Sequence, residues 1–239
     1  MIITPIASGS TGNCYYITDG KTAILLDAGV SVKAIRKGGV KPSAVDACFI
    51  SHSHKDHCKG AQELQRLGVQ MFAGAQVFEE CGLIPRHDTF PVLPDFDCSY
   101  IVGTFKITTF PVIHDVPNWG FYLRSTATNE SLLYYTDTPY IDRRFPRLDY
   151  VIAEANYDKE ILKRNVVSGA VPEAFAKRVI KNHAGIDALL LTLSRHDLSR
   201  LKRVYIAHIS NANGDEAEFR RRVQAATGAE VYVCDACKN

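Results

Sequence analysis

Residues 51–57 read Ser-His-Ser-His-Lys-Asp-His, and this stretch restricts the possible folds more than any other in the chain. His52, His54, Asp56 and His57 place four metal-ligand side chains within six positions. The apolar run Ala47-Cys48-Phe49-Ile50 comes just before and reads as the end of a buried strand. Lys55 and the polar stretch Cys58-Lys59-Gly60 follow, where a loop turns into a helix. A strand delivers such a loop rigidly. Alternate residues of an extended loop point the same way, so His52 and His54 can share one ion. The tighter turn that follows swings Asp56 and His57 towards a second. Imidazole together with carboxylate suits Zn, Fe or Mn better than Ca or Mg. Three surface histidines near one acid would be the bland alternative; the density of the pattern and its distant partners argue against it.

His-x-His-x-Asp-His after an apolar strand resembles the signature of the metallo-β-lactamase-fold hydrolases. That pattern continues with a lone His, an Asp and a final His, each at a strand end. His114 ends the alternating run Phe105–Ile113, Asp137 ends 132–136, and His208 ends 204–207. The stretch Ala7-Ser8-Gly9-Ser10-Thr11-Gly12-Asn13 also resembles the YycJ/WalJ subgroup of bacterial nuclease-like members. So do His114-Asp115, Glu154-Ala155-Asn156 and His208-Ile209-Ser210.

The resemblance implies an α/β fold, a four-layer αββα sandwich. It puts His52, His54 and His114 on one divalent metal ion and Asp56, His57 and His208 on another, with Asp137 bridging. Two ions about 3.5–4 Å apart can hold a hydroxide that is nucleophilic at neutral pH. Zn is the first choice of metal and Mn the second. Position 54 is His, where oxygen-reducing di-iron members carry Glu, which favours hydrolysis over redox chemistry. Asp56 is expected to hold its metal and orient the attacking water.

Glu154-Ala155-Asn156 after a strand, and Asn182-His183-Ala184 opening a helix, are similar to the paired Glu and His motifs of tRNA 3′-processing enzymes. There the His protonates the leaving oxygen and the Glu orients it. A carboxylate partner favours the imidazolium. Phosphodiester cleavage needs this help because an alkoxide leaves poorly. His183→Ala is therefore expected to lose cleavage of poor leaving groups, and Glu154→Gln to show a milder version. This chain reads Asn-His-Ala-Gly where relatives usually read Gly-His-Leu-Ser. An ordinary helix-start histidine and a salt-bridged strand-end acid are the structural alternatives.

The chain has 239 residues, 46% of them hydrophobic and 23% charged, and no linker, charge run or repeat divides it. That reads as one domain, residues 1–239. A net charge of +2 neither demands nor excludes nucleic acid. No apolar stretch of about 18 residues is present, so no membrane span is expected. The start, Met1-Ile2-Ile3-Thr4-Pro5, lacks a signal-peptide pattern. Seven scattered cysteines then point to reduced thiols in a cytoplasm. Cys234-Asp235-Ala236-Cys237 lacks a second pair and reads as incidental thiols.

Strands are expected at 1–7, 14–18, 23–27, 46–50, 69–72, 105–113, 119–124, 132–136, 148–153, 204–207 and 230–233. Helices are expected at about 31–37, 59–67, up to Cys81, 159–163, 172–181, 185–193 and 215–227. The loop 8–13 is rich in Gly and Ser; its N–H groups with Ser10 and Asn13 can hold a phosphate, or the loop is only a tight turn needing glycine. Basic residues gather at Lys33/Arg36/Lys37, Arg143/Arg144/Arg147 and Arg220/Arg221/Arg222, where a solvated helix face is the default. His87 and His196 have no motif around them and read as structural or surface residues. The expected function is a dinuclear-metal phosphodiester hydrolase acting on nucleic acid, with a DNA nuclease implied by the resemblance. The alternatives are a small-molecule or cyclic phosphodiesterase, a thioester or β-lactam hydrolase, and a non-catalytic module.

Overall fold

A computed structural model describes residues 1–85 and 97–234, which fall into two units. The first unit is Met1–Pro111 with Val116–Glu130; the second is Val112–Asp115 with Ser131–Cys234.

In the first unit, β1 (Ile2–Ala7), β2 (Cys14–Thr18) and β3 (Ala23–Leu26) lead to α1 (Val32–Lys37). Then come β4 (Ala47–Phe49), α2 (Lys55–Cys58), α3 (Ala61–Arg66), β5 (Gln70–Phe72) and α4 (Ala75–Glu80). The strands β6 (Cys98–Val102), β7 (Phe105–Val112) and β8 (Asn118–Ser125) follow. A five-stranded sheet runs β1-β2-β3-β4-β5, antiparallel from β1 to β3 and parallel from β3 to β5. Pro5 sits on its edge strand, where a missing N–H is tolerated. β3 and β4 are buried at every position, which is why Ala-Ile-Leu-Leu and Ala-Cys-Phe do not alternate with polar residues. Val32, Ile35, Ala61, Leu64, Val77 and Phe78 pack their helices against Leu25, Cys48, Ile50 and Met71. Phe49 stacks on Phe72 at 4.4 Å, with Tyr100 and Phe121 edge-on to Phe49.

The helix expected over 59–67 differs in detail. The structure forms it as α3, Ala61–Arg66, starting two residues later, with the separate single turn α2 before it. A Cβ on Gly60, between the two, would lie 2.3 Å from the Val30 carbonyl oxygen, so the chain crossing there requires glycine. Ser31 Oγ accepts from the Ala34 amide and caps α1 as expected.

The second unit holds β9 (Ser131–Tyr135), β10 (Tyr150–Glu154), α5 (Lys159–Val167), α6 (Glu173–Asn182) and α7 (Ile186–Ser194). It continues with β11 (Arg203–Ala207), α8 (Glu216–Thr227) and β12 (Glu230–Val233). Its strands run β12-β11-β10-β9, all parallel. Residues just past their C-terminal ends therefore emerge on one side, the usual place for a site in such sheets. α5 runs longer than expected. Asp158 accepts from the amides of Glu160 and Ile161, and Leu162 and Val166 pack against Val171 and Val179. No described helix is long and apolar enough to cross a membrane.

Candidate active site

In the first unit the loop after β4 presents His52 and His54, and α2 presents Asp56 and His57. His52 Nε2 faces His54 Nδ1 at 3.1 Å, so two ring nitrogens converge on one point. The rings of His52 and His57 lie 4.1 Å apart, and His57 Nε2 is 3.6 Å from Asp56 Oδ2. His57 Nδ1 donates to Asp27 Oδ2 at 2.7 Å, and both side chains are fully buried. Asp27 also accepts from the Ser51 amide and hydroxyl, and Ser51 Oγ is 3.0 Å from His52 Nδ1. Each ring is thus held by its Nδ1 side, leaving Nε2 of His52 and His57 turned to the cluster. Metal-binding histidines are oriented in this way.

The same loop is clamped from below. Asp56 O accepts from the Asn13 amide at 2.7 Å, and His57 O accepts from the Ala28 amide at 2.8 Å. Asn13 is fully buried, its Nδ2 donating to Gly9 O and lying 3.0 Å from His57 Nε2. Its side chain braces the loop, which differs from the phosphate contact expected of it, because no face of it reaches solvent. Ser10 is exposed in the turn.

In the second unit Asp137, Glu154 and His208 lie at or just beyond the C-terminal ends of β9, β10 and β11, and His183 caps the end of α6. Ligand atoms of these four lie within 4.8 Å of one another. Glu154 Oε1 accepts from His183 Nδ1 at 2.7 Å and from His208 Nδ1 at 2.8 Å, while Oε2 accepts from the Ala184 amide at 3.0 Å. Asp137 Oδ1 stands 3.3 Å from both Nδ1 atoms. Burial alone would raise the Glu154 carboxyl; the His183 charge and the two imidazole hydrogen bonds bring it below its ordinary value, against opposition from Asp137. Burial likewise disfavours the charged form of His208, yet Asp137 and Glu154 raise its pKa overall. The His114 side chain is buried, with Nε2 3.1 Å from Asp115 Oδ1 and its ring 6.1 Å from that of His183.

Asp27, Asp137 and His208 hold left-handed backbone, with φ of 58°, 54° and 56°. Such a residue costs of order 1–3 kcal/mol and persists where its surroundings over-determine it. Asp27 is the residue that motif matching passes over. Its signal is a carboxylate closing the buried run 23–27, as Asp137 closes 132–136. His196 is structural: its Nε2 accepts from the Phe145 amide, and the ring stacks on Phe145. His87 lies outside the described residues. The imidazole and carboxylate donors, with His57 and His208 oriented by the buried carboxylates of Asp27 and Glu154, fit divalent metal ions.

The profile of the metallo-beta-lactamase superfamily matches residues 7–69. The exodeoxyribonuclease WalJ of Streptococcus pneumoniae serotype 2 is 30% identical over 227 residues, covering 87% of this chain and 81% of the relative. The exodeoxyribonuclease YycJ of Bacillus anthracis is 27% identical over 223 residues, covering 87% and 82%. Among solved structures, the metallo-beta-lactamase fold protein YhfI from Bacillus subtilis superposes with a TM-score of 0.74 at 20% identity, covering 98% of this chain and 95% of that one. The expected α/β class and family fold hold: two sheets with their helices match that neighbour. This chain belongs to the metallo-β-lactamase superfamily and is a metal-dependent hydrolase.

Proposed function

We propose that the chain is a dinuclear-metal phosphodiesterase that degrades DNA as an exonuclease. The observation that carries this reading is the buried carboxylate of Glu154, 2.7 Å from Nδ1 of a partly accessible His183. A thioester expels its thiolate without a placed proton donor, whereas expulsion of an alkoxide from a phosphodiester needs one. The names of the WalJ and YycJ relatives support DNA as substrate. The proposed metal set is the family's ligand pattern: His52, His54, Asp56, His57, His114, Asp137 and His208, with Zn first and Mn second. Bound divalent ions supply Lewis-acid neutralisation of phosphoryl oxygens and activate water at neutral pH.

The chain's own residues do the rest. Glu154 fixes His183 through Nδ1, so the second ring proton is carried on Nε2, the atom turned away from the carboxylate. The cationic imidazole donates that proton to the leaving 3′ or 5′ oxygen, and Glu154 keeps the ring in place through the transfer. Asp56 orients the attacking water. Action in the cytoplasm belongs to the same reading and is supported by the exodeoxyribonuclease relatives.

The test is an end-labelled DNA ladder with metal-loaded protein, run beside cyclic nucleotides, bis-p-nitrophenyl phosphate and nitrocefin. Progressive shortening of DNA, abolished by chelator and by Asp56→Ala with the fold intact, is the expected result. Turnover of cyclic nucleotides or nitrocefin with DNA untouched would overturn it.

A further inference from the structure

The helix that ends at His183 carries an exposed row that the hydrolytic chemistry does not use. On α6, Ala176, Val179 and Asn182 are buried, and beside them Phe175, Arg178 and Lys181 are exposed. The row spans about 9 Å at the helical rise and stops two residues short of His183. Phe175 is 41% exposed even with the Arg178 guanidinium over its ring, 5.2 Å from the centroid. Glu173 is engaged by Lys177 at 2.8 Å. Among the described residues neither Arg178 nor Lys181 forms an ion pair. Exposed Lys163 and Arg164 stand on the preceding helix, which shares a small core of Leu162, Val171, Ala176 and Val179 with α6.

Charge marks this region, as it does residues 28–45, which hold Lys33, Arg36, Lys37 and Lys41 and no acidic residue; of the two, only this region carries an exposed aromatic ring. Residues 159–182 hold six basic side chains against two acidic ones, a net of +4, while the whole chain is only +2. The rest of the chain thus sums to a net negative charge, so this helix pair is more basic than the chain as a whole. An exposed aromatic ring with an adjoining guanidinium and ammonium suits an unpaired strand. A base stacks on the ring and phosphates meet the cations.

We propose that Phe175, Arg178 and Lys181 form a binding track for single-stranded nucleic acid that leads a strand to His183. This rests on the phosphodiesterase reading for its direction, though not for its binding test. Binding is read by fluorescence anisotropy with a labelled, phosphorothioate-linked oligonucleotide of about 12 nucleotides, within the usual footprint of such sites. Phe175→Ala should weaken binding about tenfold, and Phe175→Trp should retain it. Arg178→Gln with Lys181→Gln should lower the slope of log affinity against log salt by about 1.4, two phosphates at about 0.7 each. Circular dichroism and melting checked beside these variants establish that each is folded.

Equal affinity of wild type and folded variants would overturn the track. So would binding to phosphatidylserine vesicles without oligonucleotide binding. If the row binds DNA that is never cut, the track stands and the hydrolytic reading falls. If DNA is cut by a protein whose Phe175→Ala variant binds normally, the track falls alone.

Discussion

Glu154 accepts from two imidazoles and one amide while fully buried, so its replacement reaches further than motif comparison implies. His183→Ala removes only the proposed proton donor. It should reduce DNA cleavage about 10²–10⁴-fold, with a much smaller loss on bis-p-nitrophenyl phosphate and unchanged metal content. Glu154→Gln also releases His208. The structure therefore replaces the milder loss expected from sequence with losses on both substrates and a lowered metal content. Rate ratios on the two esters, with elemental analysis, check both variants. Asp27 acts through His57 in the same manner. Asp27→Asn keeps a residue that tolerates left-handed backbone but removes the charge that orients the imidazole. Zn affinity, measured by competition with a chelating dye, should fall about 10–100-fold.

At the scale of elements, α2 is a single turn that could not stand alone. It is held by main-chain bonds from Asn13 and Ala28 to its carbonyls, and these require close approach of Gly29. A Cβ at position 29 would lie 1.7 Å from Asp56 O. Gly29→Ala should destabilise the protein by about 3 kcal/mol or more and release Asp56 and His57 from their places. Thermal melts with and without metal check this; an unchanged melting temperature would contradict the clamp. α5 makes a milder test. Asp158 caps it, and Asp158→Ala should lower stability by about 1 kcal/mol, read from a urea midpoint shift.

At the scale of the molecule, acid sensitivity has an identifiable source. Burial pushes the Asp19 carboxyl up, but donation from Ser125, Thr104, Thr22 and Lys21 holds it at about 2, below its ordinary 3.8. Asp19 ties the β2–β3 hairpin to residues beside β6, β7 and β8 within the first unit. A depressed carboxylate contributes stability that is present above the unfolded value and is lost as pH falls through the folded one. The advantage of wild type over Asp19→Asn should thus be full above pH about 4 and vanish towards pH about 2. Denaturation midpoints across that range check it. The six described cysteines are free, so mild reductant should leave activity unchanged. The Cys234–Cys237 pair reaches outside the described residues.

Much of the strand framework was legible in sequence, because buried parallel strands such as 23–26 and 47–49 write themselves as unbroken apolar runs. His52, His54, Asp56 and His57 could be read because one short loop carries them all. Spacing could not disclose Asp27 as the partner of His57, nor Asn13 as a brace, since these contacts join residues 30 and 44 positions apart. The crossing of the Val30 carbonyl over Gly60 was equally hidden, since it joins segments 30 positions apart. The row Phe175-Arg178-Lys181 has helical spacing in the sequence, but only packing shows that its neighbours turn inward and leave it exposed. Local chain chemistry determined which groups are available and which elements form. Tertiary structure decided which imidazole meets which carboxylate, because that choice depends on backbone crossings between segments far apart in the chain.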